Sequence, residues 1–299
     1  MSSESGSKYY GPFFWLSLLA FCVPVLVGVY ALQAAPKPYS RPEPKPDASG
    51  VDHGLWDYLL KAYVEHGLVD YDGLARNHLF QEYIGQLGGA QPDALASDIE
   101  RLALYCNAYN AFVIRGVIQH EISDSVMNYT HEERGFFDLE EHIFAGKTLS
   151  LNHIEHNIIR KKYEEPRVHM ALVCAAQSCP PIRAEAFRGA VLDTQLEDQA
   201  RRFANRRSDV DYDSVQNVVF LNAILQWYGD DFDGVGGYLD FLGARVEDAN
   251  LKAGLAKAQA GDATVQFRKY DWSLNTQGAR GEHDSGGTAE FGSGSIPNN

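Results

Sequence analysis

The sequence predicts an α+β domain, mainly helical with a small central sheet. Apolar residues step by three or four through Asp98–Gln119, and the same spacing recurs in shorter form around Trp56. In contrast, Val210–Tyr212 and Val218–Leu221 are short β-branched runs flanking a polar turn, the pattern of a hairpin.

Taken in order, Leu55, Leu59 and Tyr63 with Trp56, Leu60 and Val64 form a helical stripe that ends toward Gly67, a residue suited to a left-handed cap. Asp98–Gln119 carries Ile99, Leu102, Ala103, Cys106, Tyr109, Val113 and Val117 at helical spacing, with further apolar residues on its other faces. Such a helix belongs in the centre of the molecule, largely buried. Ser150 or Asn152 caps a third helix running to about Tyr163, and Pro166 then turns the chain out of helix. The run Val168–Cys174 reads as a strand, so that period-two alternation points His169 and Cys174 to opposite faces. A helix is expected after Cys179, started by Pro180 and Pro181, with Cys179 at its N-terminus. After the hairpin, Asn222 caps the helix containing Trp227, and Tyr270–Asn275 closes the globule as a strand.

The termini have a different composition. Residues 1–12 form a short tail, and Phe13–Leu32 is a run of about twenty residues without a charge, enough to span a bilayer as a helix. Residues 13–33 are therefore read as a retained membrane anchor or uncleaved signal, with the domain on the periplasmic or extracytoplasmic side. Residues 34–50 contain five prolines and read as an extended linker, leaving 51–275 for the globular domain. Residues 276–299 are rich in Gly and Ser and read as a disordered tail. A net charge of −14 argues against nucleic acid as a partner, because a phosphate-backbone binder needs clustered Lys and Arg. The partners expected are a membrane, through the N-terminal helix, and an unidentified peptide or small-molecule ligand.

Four separated motifs stand out in the globule. They are Asn107-Ala108-Tyr109-Asn110-Ala111, then Ser150-Leu151 with Ile154-Glu155-His156 and Arg160, then Arg167 with His169, Cys174 and Ser178-Cys179-Pro180, and finally Tyr270 to Asn275. In this order they resemble the domain of unknown function 547 family, over roughly Trp56 to Asn275. Cys106 stands where the family pattern leads one to expect a large apolar residue. The resemblance supplies no reaction, so the chemistry rests on the residues.

A thiol at a helix N-terminus is favoured as the thiolate, which makes Cys179 the expected nucleophile. Cys174, on the core side of the expected strand, reads as a small buried hydrophobe. His169 and His156 are the two candidates for a base, with Glu155 and Arg160 giving His156 charged company on one helical turn. The structural alternatives are a capping-box role for Glu155 with Asn152, an exposed His156, and a core His169 with one satisfied hydrogen bond. Asn107 and Asn110 either bind substrate or clamp neighbouring backbone, the clamp being favoured.

Together these residues suggest a membrane-anchored, thiol-dependent hydrolase or transferase acting on amide bonds, similar in logic to papain and transglutaminase enzymes. Because His169 precedes Cys179, that similarity requires a permuted arrangement. The alternative is a non-catalytic envelope binding domain with a Cys174–Cys179 disulfide. No cofactor is expected. A metal site of His156, His169, Cys174 and Cys179 is disfavoured by the five-residue cysteine spacing and the opposed side chains.

Overall fold

The structure, a computed structural model, describes residues 42–278. The uncharged run Phe13–Leu32 and most of the Gly- and Ser-rich tail lie outside the described residues. Among the described residues no helix is long and apolar enough to cross a membrane.

The fold is α+β, with helices dominating and the sheets small. Asp52 caps α1 (His53–Tyr63) by accepting from the Gly54 and Leu55 amides. The chain then makes a tight hairpin, β1 (Val64–Glu65) and β2 (Leu68–Val69), whose turn places His66 and Gly67 at φ +53° and +79°. Gly67 is thus a hairpin-turn residue and not the expected helix cap, since two consecutive positive φ values match the twist of a two-residue β-turn. Two short helices follow, α2 (Tyr71–Ala75) and α3 (His78–Gly88), the latter capped by Asn77.

The central helix α4 (Asp98–Gln119) has the bounds its periodicity predicts. Ser97 and Glu100 form a capping box at its start, and buried residues occupy most of its circumference. Its own Phe112 joins Trp56, Phe80 and Tyr83 in a first apolar cluster. Short hairpins follow, β3 (Thr130–His131) with β4 (Arg134–Gly135) and β5 (His142–Phe144) with β6 (Lys147–Leu149). Helix α5 covers residues 151–163 and is wound as a π-helix over His153–Arg160. Its first turn is held by the Ser150 hydroxyl, which accepts from the His153 amide. Asn152 instead donates to Asp138 and plays no capping part.

The second half builds its own apolar cluster on α6 (Leu192–Asn205), centred on Phe203, Leu225, Phe232 and Leu242. Strands β7 (Val210–Asp213) and β8 (Val218–Leu221) form the expected antiparallel hairpin, with Val210 opposite Leu221. Asn222 accepts from the Ile224 amide at the start of α7 (Ile224–Trp227). Helices α8 (Gly237–Gly243) and α9 (Ala249–Ala260) carry the chain back to β9 (Thr264–Phe267), which pairs parallel to β8. A parallel return needs such a crossover. The sheet is therefore not central to the whole molecule: it belongs to the second cluster, while α4 organises the first.

Two expected elements are absent. Pro166–Met170 is a 3₁₀ turn and not part of a strand, and no helix begins at Cys179, since α6 starts only at Leu192. Residues 171–188 are almost free of regular structure, and side-chain amides satisfy their backbone groups instead. Asn110 donates to Ala171 O and accepts from Val173 N–H, while Asn107 makes the same reciprocal pair with Phe187. Gln199 donates to Met170 O and Pro181 O, and Gln195 to Ala186 O. Each amide offers a donor and an acceptor in the geometry of a peptide group, so it can stand in for a neighbouring strand. Tyr270–Asn275 is likewise no regular strand, but it crosses this loop through an Ala176–Leu274 bridge, and Asn275 N–H donates to Ala175 O.

Candidate functional site

The irregular loop brings together what an alternating strand would have separated. His169, Cys174 and Cys179 all line one pocket at the seam of the two apolar clusters. The pocket encloses about 40 Å³, with walls from Tyr109, Glu155, Trp227, Tyr228 and Tyr270. That exceeds the roughly 10–15 Å³ needed to seat one water. His169 and Cys174 therefore do not point apart, because period-two geometry does not apply to a 3₁₀ turn followed by an irregular chain.

The two cysteines exchange their expected roles. Cys179 is buried, its thiol donates weakly toward Leu172 O, and it follows no helix start. Burial and the neighbouring Cys174 sulfur push its pKa well above the ordinary thiol value. Cys174 is half-buried, with Sγ 3.1 Å from the Tyr270 hydroxyl. Burial alone would raise it, but the adjoining Cys179 side chain together with hydrogen bonds from Tyr270 and the Ala176 amide outweighs that and holds it below the ordinary value. Its neighbour Ala175 sits at φ +61°, a left-handed conformation costly for a residue with a Cβ. Cys106, Cys174 and Cys179 are free thiols, so the Cys174–Cys179 disulfide is not formed.

The histidines separate as clearly. His169 Nε2 lies 2.7 Å from Asp231 Oδ2, and its ring stacks on Tyr228 with centroids 4.1 Å apart. A carboxylate accepts only, so it fixes the proton on Nε2 of the neutral ring and leaves Nδ1 as the basic nitrogen. Arg160 grips both oxygens of Asp231, Nε donating to the same Oδ2 at 2.6 Å and Nη2 to Oδ1 at 2.8 Å. Burial would raise the Asp231 carboxyl, but His169 and Arg160 hold it well below the usual carboxylate range. His156 does not line the pocket. Its Nδ1 accepts from Arg160 Nη1 at 2.8 Å, and burial lowers its pKa, with Arg160 adding to the effect.

Glu155 is not a capping residue. It is buried, and each carboxylate oxygen accepts a tyrosine hydroxyl at 2.7 Å, from Tyr109 and Tyr228. Burial and the adjoining carboxylate push both phenols well above their ordinary pKa, so they remain donors. The π-helical winding of α5 carries Glu155, His156 and Arg160 together; such insertions recur at functional sites. Asn107 and Asn110 act as backbone clamps and do not line the pocket. Asp271 orients no histidine, since it accepts from Ser273.

Residues 92–204 match the family described as protein of unknown function, DUF547. The chain carries a DUF547 domain. The matched region of the DUF547 domain runs from just before α4 to the end of α6 and includes Glu155, His169, Cys174 and Cys179. Neither a curated protein nor a solved structure matches the chain. A permuted papain-like arrangement lacks its elements here, having neither a strand-borne His169 nor a helix-capping Cys179. Among the described residues no group of His, Cys, Asp and Glu is placed to hold a metal ion.

Sequence reasoning missed Asp231, Tyr228 and Trp227. Asp231 lies 62 residues beyond His169, in a 3₁₀ segment (Gly229–Val235) outside every motif, and no local pattern links the two. Tyr270 lies within one of the four motifs, whose sequence signals only a structural role.

Proposed function

We propose that the DUF547 domain is a thiol-dependent hydrolase or acyltransferase acting on amide bonds, with Cys174 as nucleophile in place of Cys179. The observation that carries this reading is the half-buried Cys174 thiol, held below its ordinary pKa, opening onto the same pocket as the Asp231-bound His169. The Cys174 sulfur attacks the amide carbonyl carbon, a C–S bond forms, and the C–N bond breaks. The thiol proton passes to His169 Nδ1 and from there to the departing amine. Water or a second amine then attacks the thioester, giving its proton to the same nitrogen, and the C–S bond breaks to release the thiol. Asp231 keeps the imidazole in the required tautomer and Arg160 keeps Asp231 ionised; both are positioning residues.

In this proposal the uncharged run Phe13–Leu32 tethers the domain to a membrane, with the pocket on the extracytoplasmic side facing a peptide or small-molecule substrate. The test is alkylation of the full chain by iodoacetamide across about pH 5 to 10, with peptide mapping. The expected outcome is modification at Cys174 with a midpoint below the ~8.5 of an ordinary thiol. Modification falling on Cys179 or Cys106 overturns the assignment, and a chain inert to alkylation until unfolded points to a non-catalytic binding domain.

A further inference from the structure

Glu155 presents a charge without a counter-ion. It is only 7% exposed, and among the described residues no Lys, Arg or His nitrogen lies within ion-pair distance of it. The Arg160 guanidinium sits over the Tyr228 ring, 4.8 Å from its centroid, and gives its hydrogen bonds to Asp231 and His156. The Arg160 and Asp231 charges thus satisfy each other, leaving the carboxylate of Glu155 over. The two tyrosine hydroxyls occupy one acceptor position on each oxygen, and a carboxylate oxygen accepts more than one hydrogen bond. An ionised carboxylate buried with neutral donors alone is poorly compensated, and a cation beside it removes that cost.

The rest of the pocket fits the same ligand. Trp227 and Tyr270 pack together with centroids 4.8 Å apart, and Trp272 extends the group with centroids 5.8 and 4.7 Å from theirs. Trp227, Tyr228 and Tyr270 line the pocket beside Glu155. Aromatic faces attract cations and tolerate alkyl stems, and a space of about 40 Å³ suits the end of a chain better than a bulky head.

We propose that this pocket takes the ammonium end of a primary amine, with Glu155 as its counter-ion and the Trp227, Tyr228 and Tyr270 rings as its walls. The inference rests on the thiol reading for its consequence, because an amine held beside Cys174 becomes the acceptor in an acyl transfer. Deprotonated by Glu155, its nitrogen attacks the thioester carbon, the C–N bond forms as the nitrogen gives a second proton to His169 Nδ1, the C–S bond breaks, and the sulfur leaves as thiolate. Binding itself does not require the thiol.

The experiment is calorimetric titration of the full chain with n-butylammonium, using n-butanol as the uncharged isostere. Saturable binding of the cation, absent for the alcohol and weakened at least tenfold in Glu155→Gln, is the expected result. Cys174→Ser should bind n-butylammonium as the parent does while losing alkylation, so failure of the thiol reading and failure of the amine site are distinguishable. If Glu155→Gln does not fold, Trp227→Ala takes its place, with the same tenfold loss expected. No saturable binding to the parent, equal affinity for alcohol and cation, or parent-like affinity in the folded variant overturns the proposal.

Discussion

The backbone N–H of Cys174 donates to the Sγ of Cys179 at 3.1 Å, so the buried thiol supports the loop that presents the half-buried one. Cys174→Ser should abolish alkylation at the pocket while leaving stability within about 1 kcal/mol, since a hydroxyl can keep the contact with Tyr270. Cys179→Ala should keep alkylation at Cys174 but cost about 1–3 kcal/mol, because a buried amide loses its acceptor. Denaturant titrations and labelling of both variants check the asymmetry, and the reverse pattern would return the nucleophile to Cys179.

Asp231 is gripped by His169 and Arg160 together, so Asp231→Asn weakens two charge-assisted contacts at once. The expected cost is about 1–3 kcal/mol, with the imidazole released from its tautomer. Nitrogen-15 NMR of the His169 ring reads this directly: the parent should show the proton on Nε2, and the variant a mixture. A parent ring protonated only on Nδ1 would defeat the proposed proton path.

Asn110 closes a reciprocal pair with Ala171 and Val173, immediately before Cys174. Asn110→Ala leaves a buried carbonyl and a buried amide without partners, for an expected loss of about 2–5 kcal/mol. Alkylation of Cys174 should also change in rate, which a remote core defect of equal cost would not produce. A matched control such as Leu104→Ala, also buried on α4, makes that comparison.

His53 and His142 are buried with Nε2 atoms that meet no hydrogen-bond partner. Burial brings His53 down to about 4, against the opposing pull of Asp47, and brings His142 down to about 3. In the unfolded chain both protonate near 6.5. As pH falls below that value the unfolded state takes up protons that the folded state refuses, and stability drops. The loss due to His53 ends near pH 4 and that due to His142 near pH 3, with a combined slope of up to about 2.7 kcal/mol per pH unit where both act. Calorimetric Tm values between about pH 7.5 and 5 should show the decline, and His142→Gln should remove part of it.

Gly67 meets two constraints at once, a φ of +79° and an approach so close that a Cβ would lie 2.3 Å from Pro181 Cβ. Gly67→Ala should destabilise by about 1–3 kcal/mol. Gly50, also at positive φ but with open space around it, serves as the control, since its alanine variant carries the backbone strain alone.

Elements whose signals are local are legible in the chain. Asp98–Gln119 formed the central helix its periodicity predicts, Val210–Asp213 and Val218–Leu221 formed a hairpin, and Asn222 opened the Trp227 helix. In each case periodicity and capping chemistry lie within a few residues of one another, so tertiary contacts had only to agree with them. The pairing of Asn107 and Asn110 with backbone was also foreseeable, because buried amides on an apolar helix need partners. Tertiary structure alone decided residues 166–188. Their apolar run satisfies a strand pattern, but their backbone groups are claimed by amides from α4 and α6, which no local window contains. That claim brings His169, Cys174 and Cys179 into one pocket and leaves Cys174 the less buried of the two thiols. Asp231 is brought to His169 and two tyrosines to Glu155 by the packing of two apolar clusters across long sequence separations. Local pattern specifies which surfaces an element offers. Which distant polar groups meet in the dry seam between those surfaces is set by how they pack.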